Sequence, residues 1–199
     1  MPELIFVAGC NAAGKSTFIR TKLSSLEGYE VFMTDVYKSR TKELVSIALK
    51  SGKNIILETV FNDASFRELV DLANTLGYET SLIVLFLDSM EQSFKRVGLR
   101  AIAQTGLLIS EGNVKLNFNE SFKNVSEYFL YFNRTQFIYT GVDTVNQNIV
   151  SFQHATLDKY ISNNLNYIQN FAKYGLSRGR LDQVEYDVIT RNKDYNMNS

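Results

Sequence analysis

The stretch Gly9-Cys10-Asn11-Ala12-Ala13-Gly14-Lys15-Ser16-Thr17 fits the pattern G-x-x-x-x-G-K-[ST] and lies between an apolar run and a helical pattern. Such a run can wrap backbone N–H groups around phosphate oxygens, because Gly9 and Gly14 allow backbone angles and close approaches that a side chain blocks. Lys15 would bring positive charge to the terminal phosphates, and Ser16 would offer a hydroxyl to Mg²⁺. A helix beginning at Lys15 points its partly positive end at the same anion. The nine residues from Gly9 to Thr17 are therefore the candidate nucleotide-phosphate site.

Three acids sit where strands are expected to end: Asp35, Glu58 and Asp88. Ligands of open α/β sheets bind beyond the carboxyl ends of the strands, so each is a candidate. Phosphoryl transfer needs an acid beside the acceptor hydroxyl and positive charge around the moving group. Asp35, after Val31-Phe32-Met33-Thr34, is the candidate base. Asp88 is read first as a helix-capping carboxylate. Lys95, Arg96 and Arg100 lie on one expected helix, and Arg100, nearest the loop that follows, is the candidate clamp on the transferred phosphate.

The elements that must position these residues alternate as in a doubly wound α/β domain. Expected strands are 4–8, 30–34, 54–57, 81–87, 136–140 and 148–153. Expected helices run from 15 to Gly28, with Phe18, Ile19, Leu23 and Leu26 on one face, and over 40–50, 64–76, 90–104 and 119–133. Residues 105–114, rich in Gly, Ser and Asn, read as a loop and candidate lid. Leu157, Ile161, Leu165, Ile168 and Phe171 recur at helical spacing, which predicts a helix over 155–174 ending at Gly175. The tail from Ser177 has no assignable pattern. The expectation is one domain over 1–199, with a core of 1–150 and a C-terminal helical extension and tail over 151–199.

Composition excludes several classes. The 199 residues carry 21 basic and 21 acidic side chains, so no overall positive field draws the chain to nucleic acid or an anionic membrane. One cysteine, Cys10, forms no internal disulfide and reads as tolerated rather than reactive. One histidine, His154, builds neither a His-based metal cluster nor a Ser/His/Asp triad. A soluble cytoplasmic protein is the simplest reading. The chain has no D-x-x-G switch and no N-K-x-D guanine motif, since Asn192-Lys193-Asp194-Tyr195 places its acid one position early. That argues against a nucleotide switch or motor ATPase, and leaves a small-molecule kinase, whose acceptor could also be an antibiotic, a simple sugar or a polynucleotide end, and a nucleotide-binding module that has lost catalysis.

In order along the chain, the loop GCNAAGKST, Thr34-Asp35, Leu57-Glu58-Thr59, and Glu91 followed by Arg96-Val97-Gly98-Leu99-Arg100 resemble the zeta-toxin family of P-loop kinases. The resemblance implies a P-loop kinase-type, mainly parallel sheet flanked by helices, with dependence on ATP and Mg²⁺. It also implies transfer to a hydroxyl of a UDP-N-acetylated amino sugar, with Asp35 as base, Glu58 and Thr59 in acceptor binding, and Lys15 and Arg100 stabilising the transferred group. An antitoxin protein is the partner it suggests. The second half departs from the pattern: Thr105-Gly106-Leu107 stands where many members carry Gly-Gly-His, and Lys115-Leu116-Asn117-Phe118 stands where an arginine-rich stretch is common. Lys115 is then the nearest substitute for a second phosphate-contacting arginine, without arginine's planar fork.

Overall fold

A computed structural model describes residues 1–21, 27–104, 109–142 and 146–197. Its centre is an eight-stranded sheet in the order β2-β3-β1-β4-β5-β6-β7-β8. The strands are β1 Glu3–Ala8, β2 Tyr29–Met33, β3 Asn54–Thr59, β4 Glu79–Phe86, β5 Arg134–Tyr139, β6 Gln147–Gln153, β7 Thr156–Tyr160 and β8 Tyr195–Asn196. The first five pair in parallel and the last three antiparallel. The helices are α1 Lys15–Thr21, α2 Thr34–Tyr37, α3 Thr41–Lys50, α4 Arg67–Thr75, α5 Met90–Gln104, α6 Glu111–Tyr128, α7 Asn166–Ser177 and α8 Gln183–Thr190. This is the expected kinase-type α/β architecture, extended by an antiparallel edge.

Strand β1 is apolar without alternation because both its faces are covered. Leu4, Phe6 and Ala8 belong to one buried cluster with residues of α3, α4 and α7, while Val7 joins Ile19, Ile56 and Leu85 in another on the opposite face. The larger cluster contains an aromatic group around Phe171, whose ring lies 5.0 Å from Phe129 and 4.5 Å from Phe137 between centroids. It anchors α7 to the sheet.

Several expected boundaries shift, each for a local reason. Strand β2 stops at Met33, so Asp35 lies in the first turn of α2 rather than at a strand end. Strand β3 continues to Thr59, which puts Glu58 inside the strand, beside Val7 of β1 and Met33 of β2. In α1 the described part ends at Thr21, and Leu23 and Leu26 lie outside the described residues. Of the expected lid, residues 105–108 also lie outside them, but Ser110 is the N-cap of α6, accepting from Asn113 N at 3.3 Å, so 111–114 is helix. The polar composition that read as a loop is the capped, solvent-facing first turn of a helix.

The largest correction concerns 155–174. Residues Thr156–Tyr160 form a strand, and α7 begins only at Asn166. His154 and Ala155 both have left-handed backbones, φ 47° and 63°, so they make the two-residue turn whose twist suits a hairpin. Leu157 and Tyr160 are buried in that strand, and their spacing from Ile161 and Leu165 mimics a helix. Helix α7 also runs past the expected end, because Gly175 is a packing position: a Cβ there would lie 2.8 Å from Leu181 Cγ. The unassigned tail forms α8, opened by a capping box between Asp182 and Glu185, and β8. Phe171→Ala should cost about 3–5 kcal/mol of stability, read from the urea midpoint, because it empties the centre of the aromatic group.

Candidate active site

The phosphate loop leaves β1 and turns into α1 beneath the end of β4. Gly9, at φ 150°, passes so close to β4 that an added Cβ would stand 2.1 Å from Leu85 O. Gly14 has φ 91°, a conformation that glycine adopts without strain. Between them Ala12 has φ 58°, which costs a residue with a Cβ roughly 1–2 kcal/mol. Side chains from three other elements hold the arch. Ser93 Oγ of α5 donates to Asn11 O at 2.8 Å, Thr140 Oγ1 after β5 donates to Ala13 O at 2.8 Å, and Asn117 Nδ2 of α6 donates to Asn11 Oδ1 at 2.8 Å.

Lys15 is buried, and its Nζ donates to Gly9 O at 2.9 Å and Cys10 O at 3.1 Å. Burial pushes its ammonium below the ordinary lysine value. The carboxylates of Glu58 and Asp35 oppose that shift, and Arg100 adds to it. Asp35 and Arg100, from α2 and α5, are thus both within electrostatic reach of the same ammonium, although both are exposed. Ser16 Oγ donates to Glu58 Oε1 at 2.9 Å, while Glu58 Oε2 is buried without a hydrogen-bond partner. A hydroxyl beside a bare, buried carboxylate oxygen is a donor set that suits a hard divalent cation.

The sequence-derived residues divide accordingly. Glu58 is tied to the phosphate-loop side through Ser16, and Asp35 on α2 and Arg100 on α5 lie within electrostatic reach of the Lys15 ammonium. Thr59 does not join them. It is 1% exposed, and its Oγ1 accepts from Phe61 N at 2.9 Å, which supports the left-handed turn at Phe61. Asp88 has a structural job, accepting from Tyr167 N at 2.9 Å and Asn166 Nδ2 at 3.2 Å at the start of α7. Arg96 donates to Thr140 O at 2.6 Å, beside the support of the arch. Burial pushes the Cys10 thiol up, with Lys15 opposing, so this cysteine is a protonated packing residue at neutral pH. Ser93, Thr140 and Asn117 are missing from the sequence reading. Isolated Ser, Thr and Asn carry no pattern, and their partners are the backbone of a distant segment and one distant side chain.

No family model matches the chain, and no curated protein matches it in sequence. Solved structures share its fold. One, from the PezAT chromosomal toxin–antitoxin system of Streptococcus pneumoniae, is 16% identical with TM-score 0.57, over 73% of this chain and 71% of that chain. Another, the AvrRxo1-ORF1:-ORF2 complex with ATP, is 13% identical with TM-score 0.56, over 79% and 60%. A third, from the Pnkp1/Rnl/Hen1 RNA repair complex, is 21% identical with TM-score 0.53, over 63% of this chain and 46% of that one. Among the described residues no helix is long and apolar enough to cross a membrane, and no group of three or more His, Cys, Asp or Glu side chains gathers as a metal site.

Two stability measurements test these assignments. Asp88→Ala should cost about 1–2 kcal/mol without changing nucleotide affinity, as a cap of α7 requires and a ligand contact does not. Ala12→Gly should gain about 0.5–1 kcal/mol in thermal or urea unfolding, the relief of the left-handed alanine less the added freedom of the unfolded chain.

Proposed function

We propose that the chain is an ATP-dependent phosphotransferase that moves the γ-phosphoryl group to a hydroxyl of a small molecule, a UDP-N-acetylated amino sugar. The observation that carries this reading is the geometry around Lys15: a buried ammonium held by two carbonyls of the phosphate loop, next to Ser16 bonded to the buried Glu58 carboxylate, with Asp35 and Arg100 within electrostatic reach. A nucleotide-binding module needs the loop and the lysine. It does not need an exposed carboxylate on α2 and an exposed guanidinium on α5, both within electrostatic reach of that lysine.

In this reading the loop N–H groups and the start of α1 hold the β- and γ-phosphates. Lys15 exchanges its two carbonyl contacts for phosphate oxygens. Asp35 accepts the proton of the acceptor hydroxyl as that oxygen attacks the γ-phosphorus, and the bond to the bridging oxygen breaks to release ADP. Arg100 and Lys15 stabilise charge on the moving group. Ser16 and Glu58 would hold Mg²⁺, which when bound neutralises charge on the β- and γ-oxygens. Glu58 is therefore assigned to the metal side rather than to the acceptor, because Ser16 claims one of its oxygens and the other faces no donor.

The amino-sugar acceptor and an antitoxin partner rest on the resemblance in the four motifs, and similar folds occur in a toxin–antitoxin system and in a two-component complex with ATP. Zero formal net charge favours a small acceptor over a polynucleotide end. The test is incubation with ATP and Mg²⁺ against a panel of UDP-sugars, followed by mass spectrometry for the addition of one phosphate. Asp35→Asn should lower turnover at least about a hundredfold with nucleotide affinity retained. Near-full turnover in that variant removes Asp35 as base, and ATP binding with no phosphorylated product from a broad metabolite mixture refutes the phosphotransferase reading.

A further inference from the structure

Three asparagine side chains form a hydrogen-bonded row. Asn62 Nδ2 donates to Asn117 Oδ1 at 2.6 Å, and Asn117 Nδ2 donates to Asn11 Oδ1 at 2.8 Å. The row joins the segment after β3, helix α6 and the phosphate loop, and a second amide of α6, Asn124 Nδ2, holds the same segment through Phe61 O at 3.0 Å. It has a direction. Each bond polarises the next in one sense, and the donor end of the row is Asn11 Nδ2, which donates to nothing among the described residues. Turning all three amides over would keep both bonds but place a carbonyl oxygen at the end carried by the loop that holds an anion. The observed direction is the one that a phosphate favours.

The backbone around Asn11 is fixed on both sides. Cys10 O, immediately before it, accepts from Lys15 Nζ, and Asn11 O accepts from the fully buried Ser93. The free amide donor is therefore carried on the backbone next to a carbonyl that touches the phosphate-binding ammonium. Residues 105–118 contain no arginine, and their one cation is Lys115.

We propose that Asn11 Nδ2 is a further hydrogen-bond donor to the terminal phosphoryl group of bound ATP, and that Asn117 and Asn62 are positioning residues that keep its N–H end toward the ligand. The inference rests on the triphosphate-binding reading given above. It makes the far end of the row a control on the phosphate loop: a change at Asn62 is felt at Asn11 through two amides.

Calorimetric titration of the full chain with ADP and with the β,γ-imido analogue of ATP tests this. The quantity read is the ratio of the two affinities. Asn117→Leu breaks the row and should lower the preference for the triphosphate about tenfold, the scale of one hydrogen bond to a charged group, with ADP binding little changed. Asn62→Asp removes the donor at the far end and turns both remaining amides over, so it should lower the preference at least as far, whereas Asn62→Leu should lower it less. Asn62 is exposed, so its variants report even if Asn117→Leu fails to fold. An unchanged ratio in Asn117→Leu, or equal ratios in the two Asn62 variants, overturns the inference while leaving the phosphotransferase reading intact. A wild-type chain that binds neither nucleotide overturns both.

Discussion

A lysine ammonium withdrawn from water must be surrounded by oxygen, and the centre of this molecule answers that requirement. Lys15 is 9% exposed and is met by two loop carbonyls, with two carboxylates acting on it from a strand and a short helix. Those carboxylates are near because β1 lies beside β3, and β3 beside β2, in a parallel register that ends all three at one edge. The strand order is therefore an electrostatic arrangement as well as a packing one. Exchange the positions of β3 and β4, and the buried charge would lose Glu58.

The same constraint explains why the loop is held so firmly. A loop that offers its N–H groups to a ligand turns several of them away from ordinary backbone partners, and it keeps its shape only if other groups bind its carbonyls. Ser93, Thr140 and Lys15 do so, each from a different point of the chain. Ala12 keeps a left-handed backbone within this frame, which is strain sustained by the surrounding contacts.

How much of this was legible in the sequence follows from the range of each interaction. The glycine-bracketed turn from β1 into α1, the five parallel strands and the longer helices between them were readable because glycine spacing and apolar periodicity are local, whereas the four-residue α2 was not expected. Asp35 and Glu58 were found as acids near strand ends, although Asp35 lies on a short helix and Glu58 one residue inside its strand. Leu157 misled because three-and-four spacing and strand alternation coincide over so short a stretch, and His154-Ala155 lacks the Asn-Gly signature of its turn. Thr59 carried a family expectation, while its environment gives it a backbone to support. Ser93, Thr140 and the asparagine row were not readable, since their partners are 82, 127 and 106 residues away.

The sheet joins two kinds of connectivity, and that bears on how the chain assembles. From β1 to β5 every neighbour is reached by a crossover, with β1 and β4 separated in sequence by β2 and β3, so their pairing must close long loops. Strands β5, β6 and β7 instead follow one another as a meander, with only His154 and Ala155 between the last two. Loop closure there is entropically cheap, and Phe137 and Phe152 on neighbouring strands already belong to the aromatic group that receives Phe171. The meander thus favours early assembly near one edge of the sheet, while the phosphate loop, which depends on distant partners, belongs to the late, slow part of folding.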